Sequence, residues 1–138
     1  MKLREPRPNP APKPTRTIRW TWFYRNGEYN PAIRSAARGA NGVYGFRERK
    51  SGIILYIGES HTGRLWKTMI RHFHALDSFE EVGEWTHENR SSVQVKLWLT
   101  RTGDDAVELE ADRIRRHRPL MVERIPGDEE DEDEEAPF

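Results

Sequence analysis

Runs of β-prone residues mark the first half of the chain. Residues 18–24 alternate apolar and polar side chains before Asn26-Gly27, which predicts an accessory strand or hairpin, and residues 31–40 predict a short helix. Residues 43–46 and 53–57, joined by a short charged loop that contains Gly, predict a hairpin. The second of these runs is so apolar that we expect both of its faces to be covered and the strand to be central in its sheet.

The hydrophobic period changes in the second half of the chain. From Thr62 onward apolar residues recur at helical spacing, which predicts a helix of about fifteen residues. The polar residues 77–91 predict a loop, residues 93–99 alternate as a strand does, and residues 105–117 predict a second helix. The expected apolar stripe of this last helix comprises Val107, Ala111 and Ile114. These elements predict a small α/β domain with a three-stranded, largely antiparallel central sheet flanked by helices.

The two ends of the chain differ in composition from its middle. Residues 1–16 hold five of the nine prolines and few apolar side chains, so we expect a disordered basic arm. Residues 128–138 begin with eight consecutive acids, which repel one another and predict a disordered acidic tail. We therefore expect an accessory strand and helix segment at 17–40 and a folded domain at 41–127 between these ends.

The formal net charge of zero averages the acidic tail and a basic body. Without the eight consecutive acids, the 23 acidic residues fall to 15, against 23 basic residues. Such an excess of positive charge favours a polyanionic partner such as DNA. The absence of cysteine excludes disulfides, a thiolate nucleophile and cysteine-based zinc sites. Because the longest apolar run, residues 53–57, is too short to cross a bilayer, we expect a soluble cytoplasmic protein without a membrane partner.

Two tripeptides on the predicted hairpin carry the candidate chemistry. Gly42-Val43-Tyr44 is followed by Tyr56-Ile57-Gly58, and the two tyrosines are twelve residues apart. Glu59-Ser60, an arginine on the next helix, and a segment from Leu109 to Pro119 with a glutamate nine residues before the proline complete the pattern. In this order the motifs resemble those of the GIY-YIG nuclease family, and the resemblance covers roughly residues 41–120.

The resemblance implies a nuclease that depends on Mg²⁺ or Mn²⁺, with a role for each of five residues. It implies that Tyr44 takes a proton from the attacking water and that Tyr56 positions water or phosphate. Arg64 would hold the phosphate oxygens, for which the planar fork of a guanidinium is well suited. Glu110 would bind the metal ion, and His72 would assist proton transfer or hold the phosphate.

Spacing alone favours a solvated ion pair for Glu110, and the family resemblance reverses this choice in favour of a metal ligand. Glu110 falls on the expected apolar face of the last helix, where a carboxylate is costly unless it faces a cleft, a cation or a metal ion. Mg²⁺ suits one carboxylate together with waters and substrate phosphate. The alternative is a solvated ion pair of Glu110 with Arg113 or Arg115.

Three basic residues of the first long helix are the expected nucleic-acid contacts: Arg64, Lys67 and Arg71. Arg64 is favoured over Arg71 as the phosphate arginine because it lies at the start of the helix, where the dipole favours anions. The alternative, above all for Arg71, is a solvated basic face. The alternative for the two tyrosines and His72 is an ordinary place in the core.

Together these features predict a metal-dependent DNA endonuclease that hydrolyses phosphodiester bonds. One alternative is a non-catalytic nucleic-acid-binding module on the same fold, because a fold can outlast its chemistry. Another is an interaction protein whose acidic tail recruits a basic partner.

Overall fold

A computed structural model describes residues 10–76 and 90–120 of the chain. Most of the predicted arm, most of the loop predicted at 77–91, and the acidic tail lie outside these ranges. The described residues form an α/β structure with one four-stranded antiparallel sheet, a small hairpin and three α-helices. None of the helices in this part of the chain has the length and apolar character needed to cross a membrane.

The main sheet has four strands rather than the three predicted. The described strands are β1 (Arg16–Trp22), β2 (Tyr24–Arg25), β3 (Glu28–Tyr29), β4 (Asn41–Glu48), β5 (Ile54–Ser60) and β6 (Val93–Thr100). The main sheet has the order β1-β6-β4-β5. Its fourth strand is β1, which pairs with β6 so that Arg16 lies opposite Leu99 and Trp22 opposite Gln94. The accessory segment therefore covers an edge of β6 that would otherwise expose its backbone groups.

The rest of the accessory segment forms a hairpin and a helix, as its pattern predicts. β2 and β3 pair around Asn26 and Gly27, whose φ values of 55° and 79° are those of a tight hairpin turn. α1 (Pro31–Ala37) follows, and the Asn30 side chain caps it by accepting a hydrogen bond from the Ala32 N–H at 3.0 Å. A short connection after α1 then leads into β4 of the main sheet.

β5 lies at the edge of the sheet beside β4, so the expectation of a central position was wrong. Both of its faces are nevertheless covered, because α2 (Leu65–Ala75) and α3 (Gly103–His117) pack on opposite sides of the sheet. Residues 55–60 are all buried. The apolar run in β5 therefore reflects cover by two helices rather than by two neighbouring strands.

The alternation of β4 divides the core between the two faces of the sheet. Tyr44 and Phe46 pack on the α2 side, whereas Val43 packs on the α3 side. The buried residues of the α2 side include Phe23, Ile33, Tyr44, Phe46, Leu65, Met69 and Phe73. Those of the α3 side are Val43, Ile57, Trp98 and Leu109. Because Phe23 and Ile33 belong to the α2 side, the accessory segment shares the core of the main fold.

α3 turns a different face to the sheet from the one its apolar residues predicted. Its buried residues are Ala106, Leu109 and Asp112. Val107 is 43% exposed and Ala111 is also exposed, so the expected stripe was wrong, although Ile114 packs partly on the α3-side core. Asp112 can be buried because Arg115 and Arg116 approach its carboxylate at 2.9 and 3.0 Å. A pattern of apolar residues alone does not reveal a carboxylate buried in this way.

Candidate active site

The two tripeptides of the predicted hairpin lie side by side on β4 and β5. In the register of this pair, Tyr44 lies opposite Gly58 and Phe46 opposite Tyr56. The Tyr44 ring lies over Gly58, where an added Cβ would collide with the Tyr44 hydroxyl and lie 2.5 Å from its Cζ. Real Cβ atoms do not approach so closely, so Gly58 is what allows the phenol to occupy this position.

Three residues predicted for catalysis meet in one group of rings, the Tyr–Tyr–His cluster of Tyr44, Tyr56 and His72. The His72 ring centroid lies 5.6 Å from that of Tyr44 and 5.2 Å from that of Tyr56. The two tyrosine rings are 6.2 Å apart. β4, β5 and α2 each supply one member, so residues far apart in the chain form a compact set at the interface of sheet and helix.

The Tyr–Tyr–His cluster is largely enclosed. Tyr44 is 0% exposed, Tyr56 5% and His72 2%. Among the described residues, the Tyr44 hydroxyl has no hydrogen-bond partner. A buried hydroxyl in that state is destabilising by about 1 to 3 kcal/mol unless water or a ligand satisfies it. A water or ligand that bonded this hydroxyl would therefore stabilise the protein.

Arg64 lies at the first turn of α2, where the backbone is held by three hydrogen bonds. The Arg64 N–H donates to Ser60 Oγ at 3.0 Å, and the Gly63 N–H donates to Asn41 Oδ1 at 2.7 Å. The Leu65 N–H donates to the Ala40 carbonyl at 3.2 Å. These bonds fix the start of α2 to β4 and β5. The backbone of Arg64, whose side chain is half-buried, is therefore held in place relative to the strand of Tyr44.

The other two predicted nucleic-acid contacts lie further along α2. Lys67 and Arg71 are both exposed, whereas Thr68 and His72, each one position further along the chain, are buried. The helix therefore presents Lys67 and Arg71 to solvent and His72 to the core. Arg64 differs from Lys67 and Arg71 because only it starts the helix next to the strand ends.

A buried carboxylate that the site prediction left out lies directly after Gly58. The Glu59 carboxylate is buried, and His61 Nδ1 lies 3.0 Å from its Oε2 and 3.1 Å from its Oε1. Glu59 lies opposite Val43, so its side chain is on the α3 side of the sheet. The sequence signal was present in Glu59, an acid near the end of a strand of buried residues, and in His61 two positions further along the chain.

Glu110 is half-buried on α3, the helix that packs on the opposite face of the sheet from the Tyr–Tyr–His cluster. The start of α3 is close to the Glu59–His61 pair, because a side chain at Gly103 would collide with the His61 carbonyl. No group of three or more histidines and acids in the described ranges is placed to hold a metal ion. A magnesium site with one protein carboxylate does not require such a group, so Glu110 is tested as a ligand by substitution.

Asp112, which follows Glu110 on α3, is a structural rather than a ligand carboxylate. Its buried carboxylate forms ion pairs with Arg115 and Arg116, whose side chains are largely exposed. Burial alone would raise the pKa of Asp112, but the hydrogen bond and charge of Arg116, with the charge of Arg113 and the hydrogen bond of Arg115, lower it overall. Asp112 therefore stays ionised and engaged with arginine.

Comparisons of the chain with models of protein families, with curated proteins and with solved structures find no match. A function for this chain therefore rests on its own side chains and their arrangement. One face of the sheet carries a buried pair of tyrosines with a histidine and an arginine at a helix start, and the helix on the other face carries Glu110.

Proposed function

We propose that this protein is a metal-dependent DNA endonuclease of GIY-YIG type that hydrolyses phosphodiester bonds. The observation that supports the proposal is the contact of Tyr44, Tyr56 and His72 in one cluster. The motifs of the sequence assign catalytic roles to the same three residues. The cluster adjoins the aromatic core through Phe46, whose ring centroid lies 5.2 Å from that of Tyr44.

In this proposal Tyr44 is the general base. A phenol ordinarily has a pKa of about 10, so it accepts a proton from water at neutral pH only when positive charge stabilises the phenolate. Arg64, at the start of α2, would contribute that charge and hold the phosphate oxygens with its guanidinium fork. Tyr56 would orient water or phosphate, and His72, in contact with both tyrosine rings, would hold a proton or the phosphate.

Glu110 would hold the metal ion, and Lys67 and Arg71 would contact the DNA backbone from the exposed side of α2. When bound, Mg²⁺ or Mn²⁺ supplies positive charge that stabilises the leaving oxygen. The role of Glu110 is to fix that charge through a single carboxylate. In-line attack depends on the positions of the water and the phosphate, which Tyr44 and Arg64 would set.

A second candidate function is a nucleic-acid-binding module without catalysis. The specific observation in its favour is the burial of Tyr44 and His72, which are 0% and 2% exposed. Side chains so enclosed can have a purely structural role in the core. A general base, by contrast, must reach the proton that it abstracts. The two candidates differ in one property, the cutting of DNA.

Cutting is tested with the purified full chain on supercoiled plasmid DNA in Mg²⁺, in Mn²⁺ and in excess EDTA. We expect nicked and linear products with either metal ion and none in EDTA. Tyr44→Phe should abolish most of the cutting, whereas the matched variant Tyr24→Phe, outside the Tyr–Tyr–His cluster, should cut as the parent does. DNA binding without metal-dependent cutting would overturn the endonuclease proposal and favour the module.

A further inference from the structure

A second group of cations lies on the α3 side of the sheet, beside the region that α3 covers. We call it the cationic face, and it comprises Trp20, Arg47, Lys96, Trp98 and Arg113. Its members come from β1, β4, β6 and α3, so the four-stranded form of the sheet is required to assemble it. Arg64, Lys67 and Arg71 are not part of this group.

Tryptophan rings hold the charged heads of the cationic face in place. The Arg47 guanidinium lies 4.5 Å from the centroid of the Trp20 ring. Lys96 Nζ and the Arg113 guanidinium lie 5.0 and 5.3 Å from the centroid of the Trp98 ring. At these distances an aromatic ring attracts a cation and limits its motion.

Gly45 makes this arrangement possible by leaving room for both tryptophans. A Cβ added at Gly45 would lie 3.1 Å from Trp20 Cη2 and 3.6 Å from Trp98 Cζ3. Both rings therefore pack over the backbone of β4. The rings form a fixed base on which three cations are set close to one another.

Arg47, Lys96 and Arg113 have no ion-pair partner within the part of the chain that the structure describes. Asp112 is nevertheless near enough for the charge of Arg113 to lower its pKa. Arg47 Nε instead donates a hydrogen bond to the neutral Gln94 Oε1 at 2.9 Å. Arg113 Nε is buried and has no acceptor among the described residues.

The mutual repulsion of these cations is visible in two titrating groups. Burial lowers the pKa of Lys96, and the charges of Arg113, Arg47 and Arg19 lower it further. Burial also lowers the pKa of His117, and the charges of Arg113, Lys96 and Arg116 lower it further against the opposing charge of Asp112. Repulsion among like charges destabilises the free protein, and a bound anion would reduce that repulsion.

We propose that the cationic face binds the phosphate backbone of a nucleic acid. The guanidinium forks of Arg47 and Arg113 and the ammonium group of Lys96 are donors that phosphate oxygens accept. Trp98 is 3% exposed and the half-buried Trp20 ring carries the Arg47 guanidinium, so we expect both rings to support the cations rather than to stack on bases. The proposed contact is therefore made to the phosphate backbone of the nucleic acid and does not depend on the base sequence.

This inference goes beyond the proposed nuclease, because it requires neither metal ion nor cutting. It also differs in place, since the Tyr–Tyr–His cluster lies on the other side of the sheet. Charge complementarity selects a polyanion as the occupant, and an acidic peptide is the competing class that the test must separate from a nucleic acid.

The test measures binding of the full chain to two unrelated fluorescent DNA duplexes of equal length, in EDTA so that no cutting occurs. The test variant is Arg47→Gln with Lys96→Gln, and the matched control is Arg34→Gln with Arg38→Gln on the exposed side of α1. At low salt we expect the test variant to lose about tenfold or more in affinity for both duplexes. Its plot of log K against log salt should be shallower by about two, since each lost phosphate contact removes about one.

The control variant should bind within about twofold of the parent, because it removes the same charge from another surface. A variant that keeps the charges, Arg47→Lys with Lys96→Arg, should retain most of the affinity and separates loss of charge from loss of fold. Equal losses in the test and control variants would overturn the proposal, since they would reflect net charge alone. An unchanged salt dependence in the test variant, or weakened binding of polyglutamate without weakened binding of DNA, would also overturn it.

Discussion

The phenol ring of Tyr44 lies directly over Gly58 on the neighbouring strand, and no side chain can occupy position 58 without displacing it. The two tripeptides that stand out in the sequence are therefore one structural unit, in which a glycine on β5 provides the space for a tyrosine on β4. The same position brings the Tyr44 ring to His72. The orientation of the proposed base thus depends on a residue that has no chemistry of its own.

Gly58→Ala is expected to destabilise the protein by about 1 to 3 kcal/mol, because the new methyl group overpacks the Tyr44 ring. Chemical denaturation at neutral pH measures this loss. Gly45→Ala is the matched control, since its methyl group would meet the far end of the Trp20 side chain at 3.1 Å, which can shift at lower cost. A Gly58→Ala protein as stable as the parent would contradict the close packing of Tyr44 on Gly58.

Tyr44→Phe and Tyr56→Phe should separate the two tyrosines in function. If Tyr44 handles the proton and Tyr56 positions, Tyr44→Phe should lower the cutting rate by about 10² to 10⁴ and Tyr56→Phe by less. Tyr56→Phe should unfold at nearly the parental denaturant concentration, whereas Tyr44→Phe should be at least as stable as the parent, because it removes a buried hydroxyl that has no partner among the described residues. Single-turnover cutting rates give the order, and the reverse order would exchange the two roles.

Glu110→Gln should keep the fold and the affinity for DNA but lose cutting by orders of magnitude, because the charge that holds the metal ion is removed at constant size. Rates are measured over a range of Mg²⁺ concentrations. Glu108→Gln, an exposed acid on the same helix, is the control. Near-parental cutting by Glu110→Gln at low Mg²⁺ would refute the assignment of the metal ligand.

Asp112→Asn should destabilise the protein by about 1 to 3 kcal/mol at pH 7, because a buried carboxylate loses its charge-assisted bonds to Arg115 and Arg116. Since the folded pKa of Asp112 is lowered, its stabilisation is present above the ordinary value of 3.8 and is lost as the pH falls through the folded pKa.

The difference in unfolding free energy between parent and Asp112→Asn should therefore shrink below pH 3.8. Urea denaturation at a series of acidic pH values measures it. A difference that stays constant down to the lowest pH would mean that the ionised carboxylate is not the source of the stability.

Truncation after Gly127 should tighten DNA binding at low salt. The eight acids from Asp128 to Glu135 are tethered to a basic body and can compete with DNA for its cations at high effective concentration. The gain should shrink as salt screens both interactions. Equal affinities of the truncated and full chains at low ionic strength would leave the tail as a solvated end.

Local periodicity was enough to predict the hairpin of β4 and β5, the helix α2 and the strand β6. Each of these depends on neighbours in sequence, as in the stripe of Leu65, Met69 and Phe73 that α2 buries. The pairing of Tyr44 with the Tyr56 strand follows from a short connection, so it too was accessible. The sequence did not predict the contact of His72 with both tyrosines, which depends on how α2 packs on the sheet.

The tertiary structure alone decided two kinds of feature. One is the pairing of residues that are distant in sequence, and the other is the burial of charged residues. The pairing of Arg16 with Leu99 adds the fourth strand, and no local pattern specifies a partner so far along the chain. The buried face of α3 includes Asp112. Hydrophobic periodicity does not predict its burial, because a charged residue is buried there only when two arginines lie beside it. Composition and spacing determined which elements form; the burial of charge and the long-range pairing of strands determined which faces meet.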